Sequence, residues 1–112
     1  FSGRNEPDAS FRCVEFATGQ VKWERDEAWR KGLTPPNKFG RGSAILADGK
    51  LIALGESGLL GLFKPNTERL EEISRWQVPG LHFPCWAAPV LADKRVYLRC
   101  EDRLVCLDFA RR

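Results

Sequence analysis

Ala47-Asp48-Gly49-Lys50-Leu51-Ile52-Ala53-Leu54 returns 45 residues later as Ala92-Asp93-Lys94-Arg95-Val96-Tyr97-Leu98-Arg99. The match runs on without a gap, Glu56-Ser57-Gly58-Leu59-Leu60-Gly61-Leu62 lying over Glu101-Asp102-Arg103-Leu104-Val105-Cys106-Leu107, and it reaches back to Ile45-Leu46 over Val90-Leu91. A third, partial copy stands near the start, where Phe11-Arg12-Cys13-Val14-Glu15-Phe16 resembles Leu104-Val105-Cys106-Leu107-Asp108-Phe109. Self-similarity over tens of residues marks a repeat architecture, in which each unit needs its neighbours to bury its apolar surface.

Within one period the residues read as strands. Ser43–Ala47 is short, small and apolar. Asp48-Gly49 suits a type I′ hairpin turn, whose two central residues both need positive φ. Leu51–Leu54 and Leu59–Phe63 follow, parted by the turn cluster Gly55-Glu56-Ser57-Gly58. These strands are nearly continuous in apolar character and do not alternate, so both faces of the sheet are expected to be covered. Stacked propeller blades provide such cover. The stretch 66–78 is ambiguous. Leu70, Ile73 and Trp76 or Gln77 fall near helical spacing, and Glu68-Arg69-Leu70-Glu71-Glu72 favours helix on propensity. The repeat makes it the exposed outermost strand of a blade instead, and a strand is expected.

The expected fold is therefore all-β, a partial β-propeller of about two and a quarter four-stranded antiparallel blades. With strands A to D counted outward from the axis, residues 1–26 give a partial blade: the end of B at Phe1–Arg4, C at Phe11–Phe16 and D at Gln20–Arg25. Residues 40–78 give a full blade, and residues 86–110 a blade without its outer strand.

Composition narrows the function classes. Hydrophobic residues make up 43 %, with 4 Trp and 7 Phe, which is material for a packed interior and excludes disorder. No apolar run approaches the ~20 residues of a membrane span, and no membrane insertion is expected. The chain has no methionine and reads as processed or trimmed, so the lack of a targeting segment says nothing about compartment. The net charge of +3 comes from 18 basic and 15 acidic side chains with interspersed signs. Lys22, Arg25, Arg30, Lys31 and Lys38 are diluted by Glu24, Asp26 and Glu27, which reads as a solvated surface and not as a nucleic-acid face.

The cysteines are Cys13, Cys85, Cys100 and Cys106, and His82 is the single histidine. No pair has C-x2-C spacing, so a structural metal is not expected. Cys100 and Cys106 lie on the two arms of one predicted hairpin without being directly opposite, and no disulfide can be deduced. Mostly buried thiols, acting as small apolar side chains, are the expectation.

Residues 13–23, Cys-Val-Glu-Phe-Ala-Thr-Gly-Gln-Val-Lys-Trp, resemble the tryptophan-docking motif A-x-D-x-x-T-G-x-x-x-W of pyrroloquinoline-quinone (PQQ) type propeller repeats. Thr18, Gly19 and Trp23 match, while Glu15 replaces the Asp and Cys13 the Ala. In that motif Thr-Gly turns the C–D hairpin, and the Trp plugs the gap between adjacent blades. The later copies are degenerate, with Pro65-Asn66-Thr67 and Ala110-Arg111-Arg112 where Ala-Thr-Gly would stand. The resemblance covers about residues 11–109. It implies a propeller, and with it a periplasmic or secreted setting.

The family it implies contains calcium- and PQQ-dependent dehydrogenases as well as non-enzymatic scaffolds, and fold alone does not transfer chemistry. The enzymes carry adjacent cysteines against the quinone and an axial Glu, Asn and Asp set around the metal. No adjacent cysteines occur here, and Glu6, Asp8, Glu56, Glu101 and Asp102 stand in no such motif. The leading expectation is a non-catalytic structural or interaction module, with no cofactor held by this segment. The alternative is the C-terminal part of a dehydrogenase whose PQQ and calcium sites lie elsewhere in a longer chain.

In a propeller the D–A and B–C loops open on one face around the axis. That selects 24–42 and 77–86, with 3–10, 55–58 and 101–103 beside them. Pro79-Gly80-Leu81-His82-Phe83-Pro84-Cys85-Trp86 is the densest candidate, and Arg41, His82, Cys85 and Trp86 form the candidate ligand loop. Its bland reading is an aromatic loop sealing neighbouring blades; its sharper one is a sugar or peptide site on Trp86 and Phe83. Arg41 and Arg99 are candidates to hold an anion at the axis, although solvated or inter-blade salt-bridged arginines are commoner. Ser43 fails the G-x-S-x-G spacing, and Cys85 with His82 shows no orienting third group, so nucleophilic catalysis is not expected. The expected partners are further blades or copies of the chain, because a few blades alone leave large apolar faces bare.

Overall fold

The turns set the architecture. Asp48 and Gly49 have φ of 50° and 70°, and Asp93 and Lys94 have φ of 55° and 63°. Positive φ at both central residues gives a two-residue hairpin the twist of its flanking strands. In the computed structural model, which describes residues 10–26 and 39–109, the result is an all-β protein. Strands β1 (Ser10–Val14) and β2 (Val21–Asp26) pair in a two-stranded antiparallel sheet. Strands β3 (Gly42–Ala47), β4 (Lys50–Gly55), β5 (Leu59–Pro65) and β6 (Leu70–Gln77) form a four-stranded antiparallel meander. Strands β7 (Val90–Ala92), β8 (Arg95–Arg99) and β9 (Leu104–Asp108) form a third, three-stranded one. None of the sheets is closed, and no helix among the described residues is long and apolar enough to cross a membrane. The expected strand at 1–4, the carboxylates Glu6 and Asp8, the loop residues 27–38 and the tail 110–112 lie outside the described residues.

The four-stranded sheet is covered on both faces. Ile45, Ile52 and Leu62 are cross-strand partners, as are Leu54 and Leu60. With Val78 and Leu81 they pack against Val96, Leu98, Val105 and Leu107 of the three-stranded sheet. On the other face Ala44, Leu51, Ala53, Phe63 and Leu70 meet Phe11, Phe39 and Trp23. The centre of that second core is a ring trio. Phe11 and Phe39 meet edge-to-face at 5.7 Å, while Phe63 lies 5.0 Å from Phe11 and 5.5 Å from Phe39. Gly61 makes room for it, since a Cβ there would come within 2.5 Å of both Phe39 and Phe63 ring atoms.

The second and third sheets share part of their pairing. Ile45↔Ile52, Leu46↔Leu51 and Ala47↔Lys50 have counterparts 45 residues on in Val90↔Tyr97, Leu91↔Val96 and Ala92↔Arg95. The gapless match expected beyond that hairpin does not hold. Leu54 pairs with Leu60, but Arg99 pairs with Leu104, so the second connection is one residue shorter. A slip of one residue moves every side chain to the opposite face. The shorter turn places Val105 and Leu107 beside Leu98 and Val96, against the neighbouring sheet. The gapless register would have put Cys106 and Asp108 there.

Residues 70–77 are a strand despite their helix-like spacing. A bulge opposite Leu62/Phe63, where the partner jumps from Ser74 to Glu72, leaves Ile73 unpaired and exposed. Trp76 then shares a face with Leu60, while Leu70 falls on the Phe63 side. One inserted residue turns a period of two into something close to a helical one.

Phe63→Ala is expected to lower unfolding stability by about 3–5 kcal/mol, the usual cost of emptying a buried aromatic site. Urea denaturation followed by tryptophan fluorescence measures it, and an effect below about 1 kcal/mol would mean that the ring trio is not a core.

Candidate functional site

Antiparallel meanders send alternate connections to opposite ends. Residues 39–41, 55–58, 78–89 and 100–103 therefore gather at one end of the sheets, and 15–20, 48–49, 66–69 and 93–94 at the other. The candidate loop residues Arg41, His82, Cys85 and Trp86 all fall at the first end. Thr18, Gly19 and Trp23 fall on the hairpin toward the second.

At the first end Glu56 is the organising side chain. It is only 4 % exposed, a burial that a carboxylate sustains only with partners. Arg41 Nε donates to its Oε2 at 2.9 Å, and Trp86 Nε1 reaches the same oxygen at 3.5 Å. Its backbone serves both flanking segments: the Glu56 amide donates to Phe39 O, and its carbonyl accepts from the Cys85 amide at 2.8 Å. Gly40, at φ 59°, lies against the carboxylate, where a Cβ would meet Oε1 at 2.6 Å. The Arg41 guanidinium also stands 5.7 Å from the Trp86 ring centre. Arg41 is thus engaged with Glu56 and Trp86, the salt-bridged arrangement weighed against anion binding. Trp86 itself is 57 % exposed and meets Phe83 edge-to-face at 5.7 Å. It stands between an open recess of ≈ 340 Å³, shared with Arg41, Gly42 and Ser43, and one of ≈ 170 Å³, lined by Pro84, Arg99 and Glu101 among others.

Beside this clamp the 78–89 and 100–103 connections bring four polar side chains together. His82 Nε2 lies 2.8 Å from Asp102 Oδ1, and Nδ1 lies 2.9 Å from Phe83 O. The Cys100 thiol donates to the same Asp102 oxygen at 3.3 Å, and the Cys85 thiol donates to His82 O at 3.0 Å. The Phe83 carbonyl, then Asp102 through its hydrogen bond and its charge, raise the His82 pKa above 6.5 against the opposing Arg103. Asp102 is held below the usual carboxylate range, first by the Cys100 thiol and then by His82. Burial, with Cys100 alongside, pushes the Cys85 thiol up to about 11. At neutral pH Cys85 is therefore a protonated thiol bonded to a backbone oxygen, and it is no nucleophile. The orienting third group that the sequence did not reveal is Asp102, yet it serves His82 and not a His82–Cys85 couple. All four cysteines are free; Cys85 and Cys100 are buried, Cys13 is partly so, and Cys106 is exposed.

At the other end the 15–20 hairpin is tied by its own polar groups. Thr18 Oγ1 donates to Glu15 Oε2 at 2.8 Å and accepts from the Gln20 amide, while Gly19 takes φ 74° and its amide donates to Glu15 O. The Trp23 indole then crosses to the four-stranded sheet, where Nε1 donates to Asn66 O at 2.7 Å. It borders an apolar cleft of ≈ 290 Å³ that Phe11, Ala44, Leu51 and Pro65 also line.

The residues that single-sequence reading left without a role are Glu56, Cys100 and Asp102. The rule that gathers the B–C loops with the 77–86 loop contained the signal. Spacing along the chain could not supply the pairing, because Asp102 meets His82 across 20 residues and Glu56 meets Trp86 across 30.

Two measurements test this geometry. Glu56→Ala is expected to cost about 2 kcal/mol in chemical denaturation, below the range for a fully buried pair because Arg41 can turn to water. The single histidine gives one imidazole resonance in metal-free protein, and its NMR titration midpoint is expected above 6.5 and lower in Asp102→Asn. The sign follows from linkage. A raised His82 pKa adds stability that is complete below its unfolded value and lost as pH climbs through the folded one. The depressed Asp102 pKa adds stability that is lost as pH falls through the folded carboxylate value.

No protein-family model, no curated protein and no solved structure matches this chain, and what it does is inferred from the geometry above.

Proposed function

We propose that the chain is a run of blades from a larger β-propeller of the PQQ-like repeat type, serving as a non-catalytic structural and interaction module. One observation carries the reading, and it concerns which face each sheet presents. In the four-stranded sheet Ile45, Ile52, Leu60 and Leu62 point to the next sheet and are covered by it. In the three-stranded sheet the same register positions are taken by Val90, Tyr97, Leu104 and Cys106. Val90 and Leu104 are 55 % and 68 % exposed. A sheet that presents apolar residues at the positions its neighbour uses for stacking is built to receive another sheet of the same kind.

Two further features support it. The sheets stack with the same sense, β8 turning Val96 and Leu98 toward the four-stranded sheet as β4 turns Leu51 and Ala53 toward the two-stranded one. The Trp23 indole bridges from one sheet to the next, as the docking motif requires. The partners are then further blades, whether from a longer chain or from other copies of this one. A periplasmic or secreted setting accompanies the family likeness.

The isolated chain is expected to self-associate in size-exclusion chromatography with light scattering, and Leu104→Asp, on the exposed face, is expected to return it to a folded monomer. A wild-type chain that runs as a stable monomer at high concentration would overturn the reading.

A further inference from the structure

Cys85 and Cys100 close one end of the core between the second and third sheets, and their thiols meet the exposed His82 and Asp102 at its rim. We propose that these side chains form a binding site for a single thiophilic divalent cation of the zinc class. The donor set is one imidazole nitrogen, two thiol sulfurs and one carboxylate oxygen, each of a type that zinc takes in four-coordinate sites. His82 Nε2, Cys100 Sγ and an Asp102 oxygen all lie within 4.8 Å of one another. Asp102 Oδ1 is 2.8 Å from the nitrogen and 3.3 Å from the sulfur. Tetrahedral zinc with bonds of about 2.0–2.3 Å separates its donors by about 3.3–3.8 Å, so modest spreading of the exposed His82 and Asp102 admits the ion. Cys85 lies outside that 4.8 Å group, its thiol bonded to His82 O at 3.0 Å, and supplies the fourth donor by turning from that carbonyl.

The hydrogen bonding points the same way. Phe83 O and the Asp102 carboxylate, on the two ring nitrogens of His82, are both acceptors. A neutral imidazole carries one proton, so in either tautomer one nitrogen lone pair faces an oxygen lone pair. The arrangement is satisfied by a second positive charge at the ring: a proton, or a metal ion between Nε2 and Asp102. With Nδ1–H donating to Phe83 O, Nε2 is left as the ligand atom, the outer-sphere arrangement that orients metal-bound histidines. The two thiols are hidden, at 1 % and 3 % exposure, while the imidazole and carboxylate open to solvent. The ion has an entry path, and the sulfurs are shielded from bulk water. Both thiols release their protons as they bind.

Cobalt(II) is the probe, added to reduced, chelator-treated protein. Thiolate-to-cobalt charge transfer in the near ultraviolet and tetrahedral ligand-field bands are expected to saturate at a single equivalent and to be displaced by zinc. Cys100→Ser and His82→Ala are expected to weaken binding at least about tenfold. Asp102→Asn changes an exposed group, keeps the fold by circular dichroism, and is expected to weaken it too. Replacing Cys13 and Cys106 by Ser is expected to leave the spectrum unchanged. The proposal is overturned by the absence of a charge-transfer band in the wild type, by a band that survives both Cys100→Ser and Asp102→Asn, or by one lost with Cys13 and Cys106. A reduced protein that takes no cobalt, yet forms a Cys85–Cys100 disulfide on oxidation, also overturns it and makes the pair a redox couple.

Discussion

Burial of both faces of the central sheet is the constraint on which the other features depend. Strand β4 runs from half-buried at Lys50 and Leu51 to buried through Ile52, Ala53, Leu54 and Gly55, with no wet face at all. Strand β9, in the outer sheet, alternates exposed and half-buried instead. The difference reflects neighbours more than composition. Ala53 and Gly61 are small because the Phe11, Phe39 and Phe63 rings lie over them, and Ile52, Leu54, Leu60 and Leu62 are large because they fill the gap to the third sheet. A residue at the wrong register would replace apolar contact with an unpaired polar group, which costs more than the contact gains. The one-residue difference between the β4–β5 and β8–β9 turns follows from the same constraint.

Apolar stacking holds the sheets together but does not fix the loops at their ends. That task falls to Glu56. Its backbone bonds to Phe39 and Cys85, and its carboxylate holds Arg41 and approaches Trp86, so the segments entering β3 and leaving β6 are tied to one buried residue. A buried carboxylate contributes little net stability over a well-packed apolar group. What it adds is position, since each partner satisfies it in only one arrangement. The 78–89 connection is thereby held against the 100–103 turn, and His82 meets Asp102 and Cys100 as a consequence. The polar cluster is a by-product of the stacking geometry, assembled where two sheets offer their loops to the same end.

The candidate site was legible in the chain only in part. His82, Cys85 and Trp86 were marked by residue type and by the dense loop 79–86, and Arg41 by its place on the connection entering β3, and the fold does bring them to one end. The partner of Arg41, Glu56, lies on another connection, and nothing in a local window shows that the two meet. The absence of C-x2-C spacing counted against a metal site. Spacing rules describe ligands donated by one turn, whereas the side chains of the proposed site come from two connections.

The repeated phrases, the Asp-Gly turn and the unbroken apolar strands determined by themselves that the chain folds as antiparallel sheets and that the central one is covered on both faces. These are local properties: turn stereochemistry needs only two residues, and apolar patterning only a handful. Tertiary structure alone decided the register of the β8–β9 hairpin, the bulge in the strand at 70–77, the burial of Glu56 and the meeting of His82 with Cys100 and Asp102. Each of those depends on which surfaces touch across sheets, and that contact energy is shared among residues far apart in the chain.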